Sequence, residues 1–145
     1  MSFQRILIGV CENPTAVQAM EVGATLAKSL GAQIALVHVI DPKRASSPEG
    51  GYPASVILDE CRQDARRLLK SASLRIGGDP PPWEYLVEGS PSREIVRTAE
   101  EWNADLIVLG THARSGIARA FLGSTAEGVV RHSRIPVLSV PGASQ

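Results

Sequence analysis

The chain has 145 residues, 43% of them hydrophobic, and its fifteen Lys and Arg balance fifteen Asp and Glu. This is one domain of ordinary size with enough apolar content for its own core, and residues 1–145 read as a single unit without linker or repeat. The balanced charge excludes a general nucleic-acid binder, which needs a basic excess to displace counterions.

Phe3 to Val10 is a short continuous apolar run, as strands buried on both faces of a parallel sheet require. Asn13-Pro14 supplies a helix cap and a first-turn proline. Val17, Met20, Ala24 and Ala27 then recur at helical spacing, with Ala16 and Gly23 beside them, until Gly31 stops the helix. Gln33 to Ile40 is a second buried run. His38 lies within it without a partner in sequence, which reads as a structural histidine held by a neighbouring backbone group.

Asp41 to Pro53 is polar and rich in Gly, Ser and Pro, a surface loop. A long helix follows over 54–76, with Ile57, Cys61, Ala65, Leu68 and Ala72 inward and Arg66, Arg67 and Lys70 outward. Trp83 to Glu88 is a third strand, less apolar and therefore near a sheet edge. Ser90-Pro91 opens another helix, whose stripe is Ile95, Val96, Ala99 and Trp102, the last a core anchor. Asp105 to Gly110 and Ile135 to Val140 are the fourth and fifth strands, with a helix over 124–132 between them. Strict alternation of strand and helix places the chain in the α/β class, with a parallel sheet covered on both faces.

The two cysteines, Cys11 and Cys61, form neither a disulfide framework nor a metal-ligand spacing, which points to a reducing, cytoplasmic setting. MSFQRILIGV enters an apolar run without a cleavage site and does not read as a signal peptide. No apolar stretch approaches the ~20 residues of a membrane span.

Chemistry concentrates between the fourth strand and the last helix. Gly110 ends the strand and Gly123 precedes the helix; each is free to take positive φ, and at Gly110 the missing Cβ lets a ligand approach. Ser124-Thr125-Ala126-Glu127 reads as a capping box. The same residues support two readings. Either the backbone N–H groups and the Ser124 hydroxyl face a phosphate, or Ser124 only caps the helix, worth about 1 kcal/mol. Arg114 and Arg119 stand in the loop, either to neutralise a polyphosphate or only to solvate the loop. Neither a Walker A nor a GxGxxG pattern is present, and His112 with Ser115 is too weak a pairing for a nucleophilic site.

The stretch GTHARSGIARAFLGSTAEGVVRHSRIPVLSV resembles the C-terminal signature of the universal stress protein family: Gly-x-x-Gly, nine residues, Gly-Ser or Gly-Thr, a helix, then an I-P-V-L-type strand. ILIGV, LVHVID and ADLIVLGTH match the first, second and fourth strands, so the resemblance covers the chain. It implies a three-layer α/β/α sandwich, like that of the adenine nucleotide alpha hydrolases, with a five-stranded parallel sheet in the order 3-2-1-4-5. It also implies a homodimer formed through the last strand, residues 135–140. Some family members bind ATP, with Mg as the accompanying ion, and others bind no nucleotide.

In the binders, base and ribose lie by the ends of the first two strands, here Val10, Cys11 and Val39. The phosphates lie on the glycine loop, here Leu109, Gly110, Ala113, Arg114, Gly123, Ser124 and Thr125. Two positions depart from the pattern: Cys11 stands where binders carry Asp, and Ala113 stands at the second glycine. The resemblance implies a dimeric cytoplasmic stress-response protein that binds ATP or another adenine nucleotide. The alternative is a nucleotide-free dimeric interaction module. No general base is evidently positioned, so the expectation is not an enzyme; a slow ATPase or self-phosphorylating protein using Ser124 or another hydroxyl is the third reading.

Overall fold

A computed structural model of the chain describes residues 2–45, 51, 53–111 and 123–142. The order of elements is β1 (Arg5–Gly9), α1 (Pro14–Leu30), β2 (Gln33–Ile40), α2 (Pro42–Ala45), α3 (Ala54–Ile76), β3 (Trp83–Glu88), α4 (Pro91–Trp102), β4 (Leu106–Gly110), α5 (Ser124–His132) and β5 (Val137–Val140). The strands form one parallel sheet in the order β3-β2-β1-β4-β5, as expected.

The apolar runs fill both faces of that sheet. Ile6, Leu7 and Ile8 of β1 are fully buried, Ile6 and Ile8 toward α1 and α3, Leu7 toward α4 and α5. Consecutive side chains of a strand point to opposite faces, so a central strand needs an unbroken apolar run. β3 and β5 form the two edges, and their side chains are exposed or half-buried apart from Val140.

Helix starts follow the cap-plus-proline device. Asn13 Oδ1 accepts from Ala16 N at 2.9 Å, with Pro14 in the first turn. Ser90 precedes Pro91 in the same way, but its side chain makes no cap bond. Asp41-Pro42 opens the short helix α2, with Asp41 Oδ1 accepting from Lys43 N at 3.0 Å, where the sequence reads as loop throughout.

The buried faces differ in detail from the periodicity. Val17 is exposed and Ala19 is fully buried in α1. In α3 the buried residues are Ala65, Leu69, Ala72, Ser73 and Ile76, whereas Ile57, Cys61 and Leu68 are only partly covered. The first turns of this 23-residue helix therefore carry the apolar spacing without full burial, and Cys61 borders a cavity with His38, Val39 and Ile40 of β2. In α4, Thr98 is buried and Val96 is not; the Thr98 hydroxyl is satisfied by Glu94 O at 2.7 Å. β5 begins after Pro136, which lacks the ladder donor, yet Pro136 O still accepts from Ile107 N at 2.9 Å.

The amino end of the sheet is locked by side chains. Asp105 accepts from Gln4 N and Arg5 N at 2.7 and 3.0 Å, tying β4 to β1. The Arg5 guanidinium lies 4.3 Å from the centre of the Trp102 ring, and Trp83 packs against Trp102 at 6.0 Å. Trp102 is the expected core anchor, 5% exposed.

Candidate functional site

A parallel sheet with helices on both faces sends every helix N-terminus to the carboxyl edge of the strands, where ligands bind in such folds. A cleft of about 240 Å³ lies there. Its floor is Gly9, Val10 and Cys11 after β1, Val37, His38 and Val39 of β2, and Leu109 and Gly110 of β4. Its walls are the first turns of α1 (Asn13, Ala16), α4 (Pro91, Ile95) and α5 (Thr125, Ala126). Three helix N-termini thus turn their positive ends toward one cavity, a setting that favours an anion.

Six of the residues expected at the site meet there: Val10, Cys11, Val39, Leu109, Gly110 and Thr125. Gly123 and Ser124 immediately precede Thr125 at the start of α5. Ala113 and Arg114, with His112, Ser115 and Arg119, lie outside the described residues. Asn13, His38, Pro91 and Ile95 line the cleft without having been singled out for it. The Ser90-Pro91 start was the available signal, because each helix begins at this edge.

Two expectations for the glycine-bounded stretch need correction. The cap of α5 is Gly123, not Ser124, which is the first helical residue. No side-chain cap bond forms, and the Glu127 carboxylate bonds Arg131 at 3.0 Å rather than reaching back to the cap. The capping box is therefore absent: Gly123, at φ 86° and ψ 152°, turns the chain in a region open essentially to glycine alone. Glu127 is also directed along the helix instead of against the cleft. Gly110, by contrast, does not have positive φ. A Cβ there would stand 2.6 Å from Thr15 O and 2.9 Å from Ala16 N, so the first turn of α1 excludes a side chain.

Cys11 takes part in the turn after β1. Asn13 Nδ2 donates to its Sγ at 3.1 Å, while Asn13 Oδ1 accepts from Ala16 N and from the Thr15 hydroxyl. Burial pushes the Cys11 thiol above its ordinary value; a hydrogen bond from the Asn13 backbone N–H opposes this by favouring the thiolate, and the neighbouring Glu12 charge adds to the rise. The native state thus holds this proton more tightly than the unfolded chain does. Any stability linked to it is fully present below the ordinary thiol range and is lost as pH rises toward the raised value. Alkylation of Cys11, followed by peptide mapping, is expected to keep accelerating above about pH 9. A rate that levels off below that pH would contradict the burial argument.

His38 is held as expected: Nδ1 lies 2.7 Å from Val10 O. On the α3 side of β2, His38 also borders a second cavity of about 380 Å³ with Glu12, Asp41, Cys61 and Asp64. Among the described residues no group of His, Cys, Asp and Glu is arranged to hold a metal ion. No helix among them is long and apolar enough to cross a membrane.

The family model for universal stress proteins matches residues 2–141. The chain is similar to universal stress protein MJ0531 of Methanocaldococcus jannaschii, 32% identical over 145 residues that cover 95% of this chain and 82% of that protein. It superposes on a protein of the universal stress protein family from Burkholderia pseudomallei with TM-score 0.77 and 31% identity, covering 97% of each chain. A universal stress protein in complex with cAMP has the same fold, with TM-score 0.72 and 23% identity over 99% of this chain and 100% of that one. The sheet order, the cleft at its carboxyl edge and a family match over nearly the whole length agree, and the chain belongs to the universal stress protein family.

Proposed function

We propose that this universal stress protein binds an adenine nucleotide, ATP with Mg in the first instance, in the cleft at the carboxyl edge of the sheet. The convergence of Val10, Cys11, Val39, Gly110 and Thr125 from four separate segments carries this reading. β1 and β2 offer a partly apolar wall suited to a base and ribose, and the start of α5 offers main-chain donors suited to phosphates. A protein of the same fold holds cAMP, itself an adenine nucleotide. We read the chain as a ligand-holding protein of the cytoplasm and not as an enzyme.

Calorimetric titration of nucleotide-stripped protein with MgATP tests the reading. Saturable binding tighter than about 1 mM is expected, and Gly123→Val is expected to weaken it at least about tenfold. Absence of heat at millimolar nucleotide would sink it. The second reading, a nucleotide-free interaction module, is favoured by Cys11. A half-buried thiol at the position of the family's Asp offers no carboxylate to the ligand. Adenine nucleotide co-purifying with the protein, detected by mass spectrometry, would count against that second reading.

Homodimerisation through β5 is part of the proposal. β5 pairs with β4 on one side through Pro136 O and Val140 O, which accept from Ile107 N and Thr111 N. Main-chain groups alternate along a strand, so the Val137 and Ser139 N–H groups face the outer edge. Ser139→Pro removes an outward donor and leaves the β4 ladder intact. The variant is expected to be monomeric by light scattering, with an unfolding midpoint close to wild type. A dimer that survives the substitution would move the interface elsewhere.

A further inference from the structure

We propose that His38 is a positioning residue of the nucleotide cleft: by capping the Val10 carbonyl just beyond β1, its ring holds the Val10–Cys11 turn and leaves the Val39 N–H to the ligand. The inference rests on the nucleotide reading above and assigns a role to a residue outside the expected site.

The register of β1 and β2 makes the argument. Gly9 lies opposite Val37, and Val10 N donates to Val37 O at 2.8 Å, one residue beyond the end of β1. In a parallel ladder the next rung joins the N–H of Val39 to Val10 O. That carbonyl instead faces His38 Nδ1 at 2.7 Å. A carbonyl only accepts, so Nδ1 carries a proton and donates it to Val10 O. The histidine therefore ends the ladder with a side chain where the backbone would have continued it.

Two consequences follow at the cleft. First, both main-chain groups of Val10 are tied to β2, which fixes where the chain leaves the sheet and where Cys11 stands. Second, Val39 keeps a donor that β1 no longer occupies, on a residue that lines the cavity. The His38 side chain leaves β2 on the face of Ile34 and Leu36, and Val37 and Val39 point to the other. The ring thus secures the turn from the opposite face of β2 while bordering the cleft.

The test compares the full-length wild type with His38→Asn and His38→Phe. Asn places an amide N–H close to the position of Nδ1, whereas Phe keeps a ring and loses the donor. Two quantities are read: the Kd for MgATP, and the rate of Cys11 alkylation without nucleotide, separated from Cys61 by peptide mapping. His38→Phe is expected to bind about tenfold more weakly and to alkylate several-fold faster, with His38→Asn within about threefold of wild type in both. If His38→Phe does not fold, His38→Leu replaces it. Wild-type values for the donor-free variant would overturn the proposal. Equal losses in the Asn and donor-free variants would also overturn it, because the ring and not the hydrogen bond would then matter. Failure of the wild type to bind nucleotide overturns the nucleotide reading and the ligand half of this one. The Cys11 rates still decide whether His38 holds the turn.

Discussion

Gly110→Ala is expected to lower the stability of the protein by about 3 kcal/mol, at the upper end for one added methyl group. The added Cβ would meet Thr15 O, Thr15 C and Ala16 N at 2.6, 2.7 and 2.9 Å. These are backbone atoms in the first turn of α1, and they cannot rotate aside as a side chain tip can. Relief requires α1 to back away from β4. That movement would strain the bond from Ala16 N to Asn13 Oδ1 and displace the residues that wall the cleft beside Cys11. Urea unfolding should show a lower midpoint with an unchanged slope, and nucleotide affinity should fall with it. A loss under about 0.5 kcal/mol would show that the helix is not seated on β4 as closely as described.

Trp102→Ala is expected to cost about 3–5 kcal/mol, the range for emptying a large aromatic site in a core. Trp102 is 5% exposed and packs between Arg5 and Trp83 at the amino end of the sheet. Removing the indole leaves a cavity beneath the Arg5 guanidinium. The bond from Arg5 Nε to Trp102 O, 2.9 Å, is made by the backbone and survives the substitution. Trp102→Phe should be much milder, about 1 kcal/mol, because it keeps a ring and removes an indole N–H that has no partner among the described residues. Both variants lie a helix length from the cleft, since Trp102 ends α4 and Pro91 begins it, about 18 Å away. Folded Trp102→Phe should therefore bind nucleotide as the wild type does. A large affinity loss in that variant would mean that the two ends of the sheet are coupled.

The two substitutions separate features of different legibility. Trp102 was readable as a core anchor because its place in the Ile95, Ala99, Trp102 spacing is a local property. So were the buried runs of β1, β2 and β4, the Asn13-Pro14 start and the edge character of β3. Each depends on residues within a few positions, where backbone sterics and side-chain burial act directly. The inner face of α3 was only half legible. Periodicity shows that Ile57 and Cys61 share a side, but not that this side is only partly covered in the folded chain.

The site divides along the same line. Composition, hydrophobic period and cap signals determined an α/β chain with a parallel sheet, and the resemblance of its motifs determined the strand order and the residues to watch. The tertiary structure alone decided what those residues do. Gly110 yields to the first turn of α1, Gly123 takes over the cap from Ser124, and His38 reaches the Val10 carbonyl just beyond β1. Cys11 and Gly110 meet in one cleft although about a hundred residues separate them, a distance over which local periodicity carries no information. Close packing and register fix such contacts, and both arise only when the strands come together.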